Sequence, residues 1–442
     1  MVMIDWSFIA AELARLAADA RPGRLLSVSL PLPRWPETRW LDSSVAWHRP
    51  EKSIRLLGTG TAFVATSSGT SRFAALHAAQ QGLLQNWRDN TLGRPFAFTG
   101  FAFSPKGGEP LPNARLWVPR LLLSAMDDKV TLTCSTPAEH AATALLRWQE
   151  TWDAWCKPQT SPAPSFAVKD NPLATEAFLS RGRAALRAIK AGSFGKLVLT
   201  RSVDLVSDAP IDPMPVLDAL AAQHPNCATF CASLAGQAFI GSSPETLLAL
   251  TGQQVCVDAL AGTAWQTSTQ EHTKTLFSDK NRREHDFVAE TITDRLGGCC
   301  HDIALPDAPE VMHLGGLSHL HRRVSARRGL DVSAFDLIAR LHPTPAAGGV
   351  PTATAIDWLH QHGDHRGAWY TGGMGWLDRH GDADIAVALR CGLIQANTVR
   401  LYAGAGFVAG SDPEQELAET EAKFSTLREA LRLHSSRSRA AA

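Results

Sequence analysis

Glu416 and Glu419 lie three residues apart, and Lys423 lies four beyond Glu419, so all three share one face of a helix. Two chemistries fit that spacing. One is a solvated face with a Glu–Lys pair, which stabilises a helix by about 0.2–0.5 kcal/mol. The other is a hard-cation site, because carboxylate oxygens suit Mg2+, which keeps waters and bridges to an anionic ligand. Glu284, on a separate helical stretch, is the candidate opposing carboxylate. Gly404, Gly406 and Gly410 follow the pattern GxGxxxG, one residue too long for the dinucleotide fingerprint. Bare backbone near a ligand is the better use of these glycines, since it permits close approach and offers N–H donors. Lys196 opens a β-like run after a glycine, and Glu245 follows a proline at a strand end. Both contexts usually carry plain surface charges. His319 and His342 sit in apolar stretches, where a hydrogen-bonded core histidine is the ordinary state. No GxSxG, P-loop or HExxH motif occurs.

The elements that must position these residues are legible in part. Trp6, Ile9, Leu13 and Leu16 space an amphipathic surface helix. Phe96–Phe103 reads as a buried strand. Pro137–Trp155 reads as a helix with Thr136 as N-cap, Pro137 at the first position and Glu139 closing a capping box. Four prolines between Lys157 and Pro172 mark a loop that divides the chain. Beyond it, 174–191 is helical and stops at Gly192, 196–205 alternates as a strand, and 238–241 is a short strand before the turn Ser242-Ser243-Pro244. Arg282–Leu296 is helical, 385–389 and 399–402 are β-like, the glycines then break the chain, and Glu414–Leu431 is a long charged helix. Clustered rather than alternating elements favour α+β over a doubly wound sheet.

Composition narrows the function. The 442 residues include 43 Lys+Arg and 43 Asp+Glu, for a formal net charge of +0. That balance argues against a general nucleic-acid binder and against a polybasic membrane anchor. Asp5, Glu12, Arg15 and Asp19 interrupt the first segment, so it is not a signal peptide, and no run of 18 apolar residues spans a membrane. Eight cysteines without a CxxC pair read as reduced cytosolic thiols, with Cys299-Cys300 the tightest cluster. The protein is expected to be cytoplasmic.

Many blocks in one order give the chain a resemblance. They are FGKLVLTR at 194–201, FIGSSPETLL at 239–248, ALAGTA at 259–264, SDKNRREHDFV at 278–288, LSHLHRRV at 317–324, LHPTPAAGG at 341–349, VALRCGL at 387–393 and LYAGAGFVAGSDPEQELAETEAK at 401–423. FTGFAFSP and LWVPRLLL extend the match into the first third. Together they resemble the chorismate-utilising enzymes: anthranilate, aminodeoxychorismate, isochorismate and salicylate synthases. The resemblance implies an α+β fold of two large antiparallel sheets packed as a sandwich with flanking helices. Residues 1–165 would form the N-terminal part of an intertwined sandwich, 166–435 the catalytic region, and 436–442 a disordered tail.

It also implies an activity. Lys196 stands where ammonia-using members carry glutamine, and Ala261 stands where aminodeoxychorismate synthases carry a lysine nucleophile. The Ala-Gly-Thr-Ala run and SDPEQE look like menaquinone-pathway isochorismate synthases. The implied reaction converts chorismate and water to isochorismate, with no glutaminase subunit, in a monomer or weak dimer. Salicylate synthase is the alternative, anthranilate synthase component I a further one, and a non-catalytic binding protein of this fold the reading from another class. Lys196 would be the base for water and Glu245 the acid at the leaving oxygen, with Mg2+ held by Glu284 and Glu419, and Glu416 nearby. Arg390, Tyr370 and the N–H of Gly404 or Gly406 would bind the enolpyruvyl carboxylate. Lys423, Gly262 and Thr263 would contact the ring carboxylate region, and His319 would lie near C4. One segment departs from the pattern: Arg366-Gly367-Ala368-Trp369-Tyr370 is one residue longer than Arg-Gly-x-Tyr, with Gly363 near the place of an upstream acid. Leu417 and Ala422 replace a usual tryptophan and asparagine.

Overall fold

The computed structural model describes residues 2–159, 164–169, 171–265, 274–314 and 316–440, with side chains up to 432. Among them, 13 strands form one sheet and 10 strands a second. Neighbouring strands are antiparallel except where Leu25–Leu32 meets Trp87–Asp89 in parallel. Strands from both ends of the chain interleave in each sheet. Val45–Arg49 pairs with Ala228–Leu234, and Phe96–Phe101 pairs with Gly373–Asp378. Helices lie outside, so the architecture is the α+β sandwich expected.

An aromatic core joins the two sheets. Trp47, Phe230 and Phe239 from one meet Phe96, Phe98 and Trp117 from the other. Trp369 packs between them, with ring centroids 6.1 Å from Trp117 and 5.9 Å from Phe239. Its Nε1–H donates to the Pro112 carbonyl at 2.8 Å. Gly100 leaves room for this indole, because a Cβ there would strike it. Fully burying one such ring contributes about 1.5–3 kcal/mol. Trp369 thereby anchors the loop that carries Tyr370.

Several boundaries differ from those read in the sequence. Pro137 belongs to strand Lys129–Pro137, where it faces Leu25. A short 3-10 turn, Ala138–His140, precedes helix Ala141–Trp155, whose first turn has no side-chain cap. Glu139 instead accepts the Gly23 N–H at 3.2 Å, so a tertiary partner displaces the capping box. The proline-rich divide includes strand Phe166–Lys169, which pairs with Lys196–Ser207. Gly404 and Gly406 do not break the chain: both lie inside the continuous strand Thr398–Val408. The final helix runs Pro413–Ala440, past position 436 where a tail was expected; residues 441–442 lie outside the described residues.

Candidate active site

Two strands of the larger sheet form the floor of a cavity of about 700 Å3. Strand Lys196–Ser207 opposes Thr398–Val408, with Val198 facing Gly406 and Thr200 facing Gly404. Side chains two apart share a face, so Lys196 and Val198 point the same way as the faces of Gly404 and Gly406. The glycines hold the floor open. A Cβ on Gly404 would lie 3.0 Å from the Tyr370 hydroxyl, and one on Gly406 would strike Glu284 Oε1.

The walls come from places where the chain passes between sheets. Gln237–Ser243 belongs to the larger sheet and Thr246–Thr251 to the smaller, so Pro244-Glu245 is the crossover. Arg390 occupies the reverse crossover, between Ala383–Val387 and Cys391–Gln395, in a left-handed conformation with φ 48°. Gly262, at φ 75°, sits where the pairing of Gln254–Trp265 with Leu317–Arg328 slips by one residue. That bulge re-aims the strand and brings Thr263 opposite His319. Helix Asp279–Gly297 supplies Glu284, and the final helix supplies Glu416, Glu419 and Lys423.

Each of the three carboxylates wears a lysine. Lys196 Nζ is 3.1 Å from Glu284 Oε1, Lys280 Nζ 2.7 Å from Glu416 Oε1, and Lys423 Nζ 2.5 Å from Glu419 Oε1. The solvated-face reading therefore fails, since Glu416 is only 2% exposed. Burial, and then the charge of Glu419, push the Glu416 carboxyl up to about 7. Burial also works to raise Glu419, but the Lys423 ammonium outweighs it and holds that carboxyl below the usual range. Burial opposes the charge on Lys280, but Glu416, Glu284 and Glu419 together keep its affinity for a proton high.

A hydrogen-bonded relay crosses the cavity wall. Arg390 Nη2 lies 3.1 Å from His319 Nε2, and His319 Nδ1 lies 3.1 Å from Thr263 Oγ1. Guanidinium can only donate, so Nε2 accepts, Nδ1–H donates to Thr263, and Thr263 donates to Glu419 Oε1 at 3.3 Å. Burial first, and then the cations Arg390 and Lys423, hold His319 well below the usual imidazole range, consistent with a neutral ring. His319 is thus a fixed link between a cation and a carboxylate. His342 is the core histidine expected, with Nε2 2.9 Å from the Phe103 carbonyl.

Glu245 and Lys196 are the two most deeply buried charged groups of the cavity, at 2% and 1% exposure. Burial, followed by the nearby Asp258 charge, pushes the Glu245 carboxyl up to about 8. It therefore carries a proton at neutral pH. Thr344 Oγ1 lies 3.5 Å from its Oε1. Tyr370 is buried and stacked on Tyr402 at 5.2 Å, and burial raises its phenol above the usual range.

All thirteen residues expected in the site converge here except Glu416, which stands one layer behind, on Lys280. Lys280 was missed. Its signal was its place four residues before Glu284, on the same helix face. Arg366 lies away from the cavity. It donates to Asp364 at 3.0 Å, the Ala347 carbonyl at 2.6 Å and the Val198 carbonyl at 2.8 Å, and it covers the Phe103 ring at 3.8 Å. Asp364, next to Gly363, is the acid that Arg366 pairs with, and it also accepts the Thr200 N–H at 2.9 Å. Tyr370 still reaches the cavity.

Comparison with known proteins agrees with this geometry. The chain is 31% identical over 412 residues to the salicylate biosynthesis isochorismate synthase of Pseudomonas aeruginosa, covering 87% of this chain and 84% of that one. It is 29% identical over 418 residues to the isochorismate synthase MenF of Bacillus subtilis, covering 87% of each. The solved structure of MenF, the menaquinone-specific isochorismate synthase from Escherichia coli, superposes with a TM-score of 0.79 at 25% identity, over 96% of this chain and 99% of that one. The family described as "Chorismate binding enzyme" matches residues 12–432, which span both sheets and every residue of the cavity. The chain belongs to that family of enzymes.

Proposed function

We propose that this enzyme is an isochorismate synthase, converting chorismate to isochorismate with one water taken up and one released. The observation that carries the reading is one cavity holding a buried lysine and a buried glutamic acid that keeps its proton, the pair that addition of water and loss of a hydroxyl require. Water attacks C2, the ring double bonds shift, and the C4–O bond breaks. Lys196 in its neutral form takes the proton of the attacking water. Glu245 gives its proton to the departing C4 oxygen, which leaves as water. Arg390 and Tyr370 bind the enolpyruvyl carboxylate with a backbone N–H of the glycine strand, and Lys423 with the Gly262-Thr263 segment meets the ring carboxylate region.

Mg2+ fits the carboxylate cluster. Among the described residues no three His, Cys, Asp or Glu side chains stand together as a group able to hold a metal ion. The donor set is nonetheless all oxygen, and a positive charge, that of Lys280, already acts on all three acids. Glu284 and Glu419 would hold the ion, with Glu416 behind them. When bound, it would stabilise charge developing on the ring carboxylate. The free state of all eight cysteines supports a reducing, cytoplasmic setting, and no described helix is long and apolar enough to cross a membrane. A base for water in place of a neutral amide supports action without ammonia or a glutaminase partner.

The test is turnover of chorismate by the purified protein, followed by chromatography. Activity should vanish with EDTA and return with Mg2+. Glu419→Gln should lose most activity, because it removes the negative end of the Arg390–His319–Thr263 relay as well as a metal ligand. Normal turnover by Glu419→Gln, or full activity in EDTA, would overturn the metal assignment.

A further inference from the structure

A second buried carboxylate stands behind Glu245. Asp258, on strand Gln254–Trp265, is 2% exposed. Its Oδ2 accepts the amide N–H of Thr246, the residue directly after Glu245, at 3.0 Å. Its Oδ1 meets His321 Nε2 and Arg323 Nε, each at 3.0 Å. All three groups line a second cavity of about 1370 Å3, and Pro244 lines both cavities. Asp258 is thus part of the wall between Glu245 and that second space.

We propose that Asp258 is a positioning residue for Glu245: held as a carboxylate by His321 and Arg323, it fixes the Pro244-Glu245-Thr246 crossover through the Thr246 amide and places a negative charge behind the Glu245 carboxyl. The inference rests on Glu245 being the proton donor of the proposed reaction. Burial alone would raise Asp258, but the hydrogen bond from His321 and the charge of Arg323 outweigh it and hold Asp258 far below the usual range. Three charged groups act on Glu245: Asp258 from its strand, Lys196 from the cavity floor and Lys423 from the final helix. Arg49 bonds Thr246 Oγ1 at 3.0 Å but is neutralised by Asp384 at 3.1 Å. Lys423, and Lys196 while it holds its own proton, pull Glu245 towards ionisation. Burial first, and then Asp258, oppose them, so the acid keeps its proton until the leaving oxygen takes it.

Asp258→Asn keeps an oxygen for the Thr246 amide and removes the charge. The alkaline limb of kcat should move down by about one pH unit, the lower end of what a neighbouring charge gives. The loss at pH 8 should then exceed the loss at pH 6 by up to about tenfold, with KM for chorismate changed by less than about threefold. Arg323→Gln removes a half-exposed cation and should move the limb upward. An unmoved limb in either folded variant, with equal losses at every pH, would make Asp258 a scaffold and overturn the inference. If Asp258→Asn does not fold, Arg323→Gln decides alone: an upward shift supports the inference, and none overturns it. Absence of turnover by the wild-type protein would instead overturn the proposed function.

Discussion

Replacing Lys196 by alanine is expected to lower kcat for chorismate by about 10²–10⁴, the range that positioned acid–base groups supply. Its Nζ lies on the cavity floor, 3.1 Å from Glu284 Oε1, and the residue is 1% exposed. In the proposed mechanism its deletion removes the proton acceptor for water, while Arg390, Tyr370 and Lys423 still line the cavity to hold the substrate. KM should therefore move much less than kcat, by under about tenfold. The deleted side chain also leaves a hole next to Glu284, so a small primary amine in the buffer should restore part of the rate, and more so as pH rises. Steady-state kinetics with and without ethylamine read both effects. A variant that lost only affinity, with kcat intact, would show that the lysine binds rather than takes a proton.

Glu245→Gln should cost a similar factor, about 10²–10⁴ in kcat. Glutamine keeps the volume and the contact with Thr344 Oγ1 but has no acidic proton. The proposed mechanism uses Glu245 in its protonated form, and burial pushes that carboxyl up to about 8, so wild-type kcat should be sustained below that pH and fall above it. The residual rate of the glutamine variant should lack this limb. The substitution should act on stability in the opposite sense to its effect on activity. The folded carboxyl holds its proton up to about 8 against an ordinary value of 4.5, so its contribution is fully present below 4.5 and is lost as pH rises to about 8. Glutamine has no such loss, and the Tm of the variant at pH 8 should equal or exceed that of the wild type. A retained alkaline limb in the variant would mean that another group titrates there.

The sequence made the chemistry more legible than the scaffold. Lys196, Glu245 and the glycine strand stood out because their neighbours formed ordered blocks along the chain, and the cavity brings them together. Their role as one site was not readable from spacing, because Glu245 and Arg390 reach it from opposite crossovers between sheets, 145 residues apart in sequence. The GxGxxxG run looked like a break because glycine weakens strands. Here the strand survives because Lys196–Ser207 pairs along its whole length, and the missing Cβ atoms make room for Glu284 and Tyr370. The capping box at 136–139 had the right residues but lost to two longer-range contacts, the Pro137–Leu25 pairing and the Glu139–Gly23 bond. Local preference gave way to sheet register there. Glu416 was placed on the correct helix face, but only the tertiary structure shows that Lys280 takes its charge.

Oxygen-18 water reports on the proposed chemistry itself, in which Lys196 deprotonates a solvent water that becomes the new hydroxyl. Purified enzyme, chorismate and Mg2+ are incubated without ammonium, and the product is analysed by mass spectrometry before any lyase is added. The expected product is isochorismate with one oxygen-18 atom at its C2 hydroxyl, with no stoichiometric pyruvate or salicylate. Unlabelled isochorismate, salicylate released faster than isochorismate decays alone, or anthranilate on adding ammonium would contradict that chemistry.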